Sequence, residues 1–253
     1  MWSSAFWSAL STYSTIPVPQ VPWRPEGLRY TLCFFPVVGV FCAAALAGWT
    51  GLCCLLDVPS LLFAAGAVVL PLLLTGGIHL DGAMDTVDAL AAHQDRARSL
   101  EILKDPHCGA FAIVFCCGDL LLCTGLFDAL FQAGLAWAVC PGYVLSRALS
   151  ALAALHLPKA RKQGMLAAMT QQQPGPGASV LLGLAAGAAL LGMLLLAPLP
   201  GAVAGGLALL WLWRYRGWMG KVFGGVTGDT AGFFLQLCEG FLLLGLWIGG
   251  LVG

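Results

Sequence analysis

Charge is what this sequence has least of. Asp, Glu, Lys and Arg make up 9% of its 253 residues, against 59% hydrophobic. A soluble domain carries about 25% charged residues to keep its surface wetted, so this chain has too little polar surface to fold as a water-soluble globule, and the missing solvent is lipid. Net charge is absent too. Twelve basic and twelve acidic residues cancel, so bulk electrostatics points to neither nucleic acid nor a polybasic anchor. The ten cysteines contain no metal-type Cys-x-x-Cys pair, and Cys53-Cys54 and Cys116-Cys117 sit inside apolar runs. A disulfide framework belongs to short secreted chains. These cysteines are therefore expected to act as small buried hydrophobes. The first residues lack the basic start and cleavage site of a signal peptide. Instead Trp2, Phe6 and Leu10 recur every four residues, which predicts a short interfacial helix ended by Pro17 and Pro19.

What is present is apolar length. A helix needs about 20 apolar residues to cross the hydrocarbon core, and seven stretches qualify: 32–55, 58–78, 110–131, 135–155, 179–196, 202–218 and 231–251. Neither an internal repeat nor a soluble insertion interrupts them. The expected fold is all-α, a polytopic integral membrane protein in which residues 1–253 form a single transmembrane catalytic domain. The positive charges test the count. Arg24 and Arg29 precede the first span. Arg96, Arg98 and Lys104 follow the second, Lys159, Arg161 and Lys162 the fourth, and Arg214, Arg216 and Lys221 lie at the end of the sixth. With seven crossings all of these fall on one side, while the opposite connections near Asp57, Gly134 and Pro200 carry no Lys or Arg. Positive charge marks the cytoplasmic side, so the N-terminus is expected inside and the C-terminus outside.

Two polar clusters stand out against this background. The second span runs into His79-Leu80-Asp81-Gly82-Ala83-Met84-Asp85-Thr86-Val87-Asp88, whose aspartates are spaced i, i+4, i+7. That spacing puts them within about 60° on one helical face, where uncompensated carboxylates repel. A hard divalent ion such as Mg²⁺ fits between them, because it takes carboxylate oxygens and leaves room for substrate phosphates. A solvated acidic face on a loop helix is the competing explanation, although three carboxylates beside lipid are costly. The second cluster, Gly224-Gly225-Val226-Thr227-Gly228-Asp229-Thr230, precedes the last span, with Glu239 inside that span. Its glycines permit tight turns and close backbone approach. Thr227, Asp229 or Thr230 can cap the helix that follows, and a helix N-terminus favours phosphate. The plainer alternative is an ordinary capped helix. Both clusters fall at cytoplasmic ends, with Glu101, Lys104 and Asp105 on a connection between them, and together they can form one pocket for a metal and a diphosphate.

These residues resemble a known family. His79-Leu80-Asp81-Gly82 followed by Asp85-Thr86 and Asp88 is similar to the signature of the cobalamin-5′-phosphate synthases, also called adenosylcobinamide-GDP ribazoletransferases. Gly225, Thr227-Gly228-Asp229-Thr230 and Glu239 resemble that family's second signature. The likeness extends in order through Pro17-Val18-Pro19, Phe35-Pro36, Glu101, Lys104-Asp105, Gly109 and Ser146-Arg147. The chain departs from the pattern at Ala89, at Pro106-His107 and at Ala231-Gly232-Phe233.

The resemblance implies that adenosylcobinamide-GDP is joined to α-ribazole or its 5′-phosphate, with release of GMP. It implies a Mg²⁺ held by Asp81, Asp85, Asp88 and Asp229. His79 or an aspartate, Asp85 and Asp88 among them, is then the candidate base. Gly225, Thr227, Gly228, Arg147 and Glu239 are the expected substrate contacts. Lys104 is expected either to neutralise phosphate or simply to flank the membrane. Arg147, within a span, needs a carboxylate or phosphate partner, and Asp119 has no assigned role. The expected partners are these substrates and the lipid bilayer, not nucleic acid, with room for a homo-oligomer or for association with other cobalamin-assembly enzymes. The expected location is the bacterial inner membrane, with the site facing the cytoplasm. Three other classes compete with this reading. A CDP-alcohol-type phosphotransferase also uses membrane aspartates and Mg²⁺, but its Asp-Gly is followed by Ala-Arg and two later aspartates on one adjacent helix. An ion-coupled transporter places its polar residues near the midplane. A seven-span receptor lacks any supporting feature here.

Reporter fusions test the topology. Fusions after Lys104 and Lys162 are expected to report cytoplasmic, and one after Gly253 external; a cytoplasmic signal at Gly253 means that one crossing is miscounted.

Overall fold

The computed structural model describes residues 2–19, 25–170 and 175–252. Arg24, one of the charges used to count spans, and Gly253 lie outside the described residues. Helix accounts for 82% of the described residues, and no strand occurs among them. In order the helices are α1 (Trp2–Tyr13), α2 (Pro25–Leu28), a 3₁₀ turn (Thr31–Phe34), α3 (Phe35–Leu55), α4 (Ser60–Thr75), α5 (Ile78–Ala91) and α6 (Arg96–Ile102). They continue with α7 (Ala110–Gln132), α8 (Ala136–His156), α9 (Met165–Thr170), α10 (Pro176–Leu196), α11 (Pro198–Val222) and α12 (Gly228–Val252).

Among the described residues five helices are long and apolar enough to cross a membrane: Thr31–Leu55, Ala110–Gln132, Ala136–His156, Pro176–Leu196 and Gly228–Val252. The expected 58–78 span is not one straight helix. It is α4, then a break, then α5, and the pair qualifies together as a sixth crossing while bent by 93°. Gly76 and Gly77 make the break with φ of 65° and 73°, the left-handed conformation that costs glycine nothing. The expected 202–218 span lies within α11, which at 25 residues is long enough. Its composition is less apolar than that of the five, because Pro198 and Pro200 open it and Arg214 and Arg216 fall in its last third.

The core helix is α8, with 72% of its apolar window buried, whereas α10 at 17% and α7 at 22% form the rim facing lipid. Small residues explain the centre. Ala148, Ala151 and Ala154 on α8 are buried, and a Cβ at Gly39 of α3 would lie 2.5 Å from the Tyr143 carbonyl oxygen. Without a hydrophobic force between helices in lipid, such close packing is what holds them together. Five cysteines are buried as expected, but Cys54, Cys108 and Cys117 are exposed, the first and last on lipid-facing helices where a weakly polar thiol costs little.

Polar groups at helix ends find partners from distant segments. Thr15, just beyond α1, donates its N–H to Leu74 O (2.8 Å) and its hydroxyl to Leu73 O (2.8 Å). These carbonyls at the end of α4 have no helical partner, and lipid supplies none. Thus α1 is tied to the body: Trp2 stacks on Tyr30 and Tyr13 packs on Phe35. The N-terminus of α7 is served likewise by α5. The Asp88 carboxylate accepts from Gly109 N (2.6 Å) and Ala112 N (2.9 Å), supplying the acceptor that Gly109, at the N-cap, lacks.

Close backbone approach places α5 on α12. A Cβ at Gly82 would stand 2.9 Å from Asp229 Cα, and one at Gly232 would stand 2.8 Å from His79 O. The sequence also offers Gly76 and Gly77, before the first polar cluster, and Gly224, Gly225 and Gly228, in the second, for close approach. Of these, Gly76 and Gly77 bend the chain, and Gly228 has nothing within 4 Å of its Cβ position. Gly224 lies against the Arg96 guanidinium and Gly225 against the Pro158 carbonyl. Farther along, α12 runs antiparallel to α11, where Gly245 meets Ala204 and Gly249 meets Pro200.

Two substitutions test this packing. Gly82→Val is expected to cost about 1–3 kcal/mol through overpacking, read as a lower thermal midpoint in detergent, while Gly118→Ala, with open space around it, is expected to be neutral; equal midpoints would mean that the two helices do not meet closely. Asp88→Ala is expected to cost about 1–2 kcal/mol through loss of the α7 cap, read by the same measurement.

Candidate active site

Each wall of the site follows from a local constraint already described. The Gly76–Gly77 break turns α5 away from α4, and the Gly82 and Gly232 contacts lay its first turns against the start of α12. At that start Thr227 and Thr230 cap one another. Thr227 Oγ1 accepts from Thr230 N (3.2 Å), and Thr230 Oγ1 accepts from Thr227 N (2.8 Å). This is a capping box with threonine in place of the usual Glu, and Thr227 is thus the cap among the three candidates. The loop before it is pinned by Val226, whose N–H donates to Pro158 O (2.8 Å) and whose carbonyl accepts from Ala160 N (3.0 Å). That pairing brings the connection after α8 alongside the α12 N-terminus.

The result is a cavity of about 320 Å³, open to solvent on one side. His79, Asp81 and Gly82 from α5 line it, as do Thr227, Gly228 and Asp229 from the start of α12. Lys159 and Arg161 face the same space, and Tyr13, Leu32 and Phe35 form an apolar wall. Arg161 is held by Leu100 O (2.6 Å) and stands 3.8 Å from the Asp229 carboxylate. Thr227 Oγ1 also donates to Asp229 (3.3 Å). Lys159 Nζ donates to Leu157 O (2.5 Å), and partial burial lowers its pKa from the ordinary lysine value.

The four expected carboxylates are gathered unequally. Asp81 and Asp229 face the cavity. Asp85, one turn along α5, does not line it, but its carboxyl lies within Coulombic reach of Asp81, Asp229 and Asp88. Asp88 has both oxygens engaged at the α7 cap, a use the sequence reading did not assign it. Among the described residues, Asp81, Asp85 and Asp88 make no ion pair, so their negative charge is left uncompensated by protein. No three described His, Cys, Asp or Glu side chains form a ready-made metal cage. The donor chemistry nonetheless suits an ion that keeps waters and uses one or two carboxylates together with phosphate oxygens, as Mg²⁺ does.

Other expected residues lie elsewhere. Lys104 is exposed on the turn after α6 and does not reach the cavity; Arg161 and Lys159 occupy the basic positions there. Glu101 pairs with Arg98 (2.8 Å). Asp105 accepts from His107 N (3.0 Å), and these bonds lower its pKa from the ordinary carboxyl value. Gly225 packs on Pro158 rather than lining the cavity. Arg147 and Glu239 lie a layer deeper and satisfy one another. Arg147 Nη1 donates to the Glu239 carboxylate, Ser146 adds a 3.0 Å bond to Glu239, and Tyr143 O accepts from Arg147 (3.0 Å). Removing one partner of such a pair costs about 3–5 kcal/mol. Asp119 accepts from Gln236 (2.8 Å). His79 stands between this interior layer and the open cavity. It is 7% exposed, and its ring packs against Tyr13 and Phe35 at centroid distances of 6.1 and 5.4 Å. Among the described residues its Nε2 has no hydrogen-bond partner.

Tyr13, Lys159 and Arg161 were not picked out from sequence as site residues. The signal for the two cations was visible, since Lys159, Arg161 and Lys162 formed a positive cluster, but it served only to mark the side of the membrane.

Comparison with known proteins bears on the same residues. Residues 5–247 match the family model for cobalamin-5-phosphate synthase. An adenosylcobinamide-GDP ribazoletransferase of Lachnoclostridium phytofermentans is 37% identical over 246 residues, covering 97% of this chain and 93% of the relative. One from Pseudomonas fluorescens is 38% identical over 246 residues, covering 95% and 98%. One from Azorhizobium caulinodans is 36% identical over 254 residues, covering 95% and 94%. No solved structure matches. With the match running nearly end to end and through both polar clusters, the chain belongs to the cobalamin-5-phosphate synthase family.

Proposed function

We propose that this protein joins adenosylcobinamide-GDP to α-ribazole, or to α-ribazole 5′-phosphate, giving adenosylcobalamin or its 5′-phosphate and GMP, a late step of cobalamin biosynthesis. One observation carries the proposal beyond family membership. Carboxylates from α5 and α12 share a solvent-open cavity with Arg161 and Lys159, the mixture that a metal-bound diphosphate requires. A ribose hydroxyl attacks the phosphorus next to cobinamide, the bond from that phosphorus to the bridging oxygen breaks, and GMP leaves.

Asp81, Asp85 and Asp229 would hold Mg²⁺, with Asp88 contributing through lone pairs not used at the α7 cap. Bound there, the ion would offset charge on the diphosphate. Arg161 and Lys159 neutralise phosphate oxygens from the opposite wall, and Lys104 acts only on incoming substrate. Thr227 and Gly228 bring the start of α12 to the phosphates. His79 is the candidate acceptor for the hydroxyl proton, since its Nε2 is open and its ring is held between aromatics. Arg147 and Glu239 act through each other, fixing α8 against α12 behind the site. The whole chain works as one catalytic domain in the bacterial inner membrane, N-terminus inside and C-terminus outside. The antiparallel run of α11 along α12 supports counting α11 as a crossing, for seven in all.

The experiment is GMP release from adenosylcobinamide-GDP and α-ribazole by the purified chain, with and without Mg²⁺. Asp81→Asn, Asp85→Asn and Asp229→Asn are each expected to cut turnover by about 100-fold or more, in the range of a lost charge-stabilising group, with protein yield little changed. The Asp85→Asn, Asp229→Asn double variant is expected to lose less than the product of the single losses, because both disable one shared site. Near-normal turnover in all three single variants at saturating Mg²⁺ would overturn the proposal.

A further inference from the structure

The far face of α11 carries a feature that the active site does not use. Leu207, Leu210, Arg214, Gly217 and Lys221 recur at intervals of three or four residues, which puts them on one helical face. With Trp211 and Trp218 of the same helix and Phe241 of α12 they line a groove of about 580 Å³. Its chemistry changes along its length. The first part, from Leu207 to Trp211, is apolar. The part near the end of α11 is basic, and Gly217 between the two cations leaves a notch, with nothing within 4 Å of its Cβ position.

Two observations fix the class of occupant. Arg214 and Lys221 are exposed, and among the described residues neither makes an ion pair or hydrogen bond, so this end of the groove offers two uncompensated positive charges. The groove also lies on a helix packed against α12, one of the five apolar membrane helices, through contacts from Pro200–Gly249 to Trp211–Phe234. With α11 counted as a crossing, as proposed above, this apolar part, where Leu210 is exposed, faces acyl chains. From Leu207 to Lys221 is about 21 Å of helix at 1.5 Å per residue, close to one leaflet's share of a hydrocarbon core about 30 Å thick together with its headgroup layer. Trp218 sits in the basic part, between Arg214 and Lys221, at the headgroup level where indole rings favour the membrane interface.

We propose that this groove is a binding site for an anionic phospholipid, with an acyl chain along Leu207, Leu210 and Phe241 and the phosphate held by Arg214 and Lys221. The bound lipid rests on Trp218, which packs on Phe233 at 5.8 Å. Phe233 directly follows Gly232, the residue that seats α12 against His79, so the lipid braces the first turns of the helix that carries Asp229.

The test uses the full-length protein in nanodiscs made from an equimolar mixture of phosphatidylglycerol and phosphatidylcholine, with retained lipids counted by native mass spectrometry. A basic side chain near an anionic surface is worth about five-fold in lipid preference. The wild type is thus expected to retain phosphatidylglycerol at least about five-fold over phosphatidylcholine. The double variant Arg214→Gln, Lys221→Gln is expected to fall to the ratio of the mixture. Arg216→Gln, exposed but outside the groove, is expected to keep the wild-type ratio. Equal retention of both lipids by the wild type overturns the proposal without reference to any variant. So does enrichment that survives the double substitution, or that inorganic phosphate abolishes, which marks a free-anion site instead. The readout is lipid retention rather than turnover, so the outcome is independent of the transferase activity.

Discussion

Everything that makes a site in this protein depends on how closely two backbones approach. Where α5 crosses the start of α12, Gly82 faces Asp229 and Gly232 faces His79, and in both places a side chain would overlap backbone atoms of the partner helix. In lipid, apolar side chains gain nothing by leaving one apolar environment for another, so packing of this kind carries the association. It also fixes the chemistry, because the residues flanking these glycines are the ones that carry charge. Asp81 precedes Gly82, and Asp229 lies one turn before Gly232. A looser contact would separate the carboxylates and dissolve the cavity between them.

Membrane burial then dictates the rest of the architecture. A helix that ends beside lipid leaves its last carbonyls without a partner, and this chain ends α4 at Gly76. Its cost is met by Thr15, which reaches from the segment after α1 to bond Leu73 and Leu74. Asp88 serves the start of α7 in the same way, and Trp211 Nε1 donates to Phe234 O at 3.0 Å between α11 and α12. Deeper still, Arg147 and Glu239 neutralise each other. These long-range bonds tie α1, α4, α5, α7, α11 and α12 into a frame around the site, which lets four carboxylates and two cations persist close to lipid.

Much of this was legible in the sequence, and for physical reasons. Apolar length announced membrane helices, and the i, i+4, i+7 spacing of Asp81, Asp85 and Asp88 put them on one helix face, which α5 supplies. A cap was recognisable among Thr227, Asp229 and Thr230, and the structure selects Thr227. What stayed hidden depended on contacts between distant segments. Two adjacent glycines after a long apolar run can either allow close packing or break the helix, and only the surrounding fold selects the break. Asp88 shares its spacing with a metal ligand, yet its carboxylate is used on α7, twenty-one residues away. Arg161 looked like a topology marker because nothing local connects it to Asp229. Arg147 required a partner, but nothing in the spacing identified Glu239.

The central claim is that α5 and α12 contribute to one cation site. Electron paramagnetic resonance of Mn²⁺ bound to the purified full-length protein tests it most directly, since Mn²⁺ accepts the same oxygen ligands as Mg²⁺ and its signal reports binding without turnover. Asp85→Asn and Asp229→Asn are expected to weaken the same Mn²⁺ signal to a similar degree. Mn²⁺ affinity unchanged in Asp229→Asn but lost in Asp85→Asn would contradict it, leaving Asp229 outside the metal site.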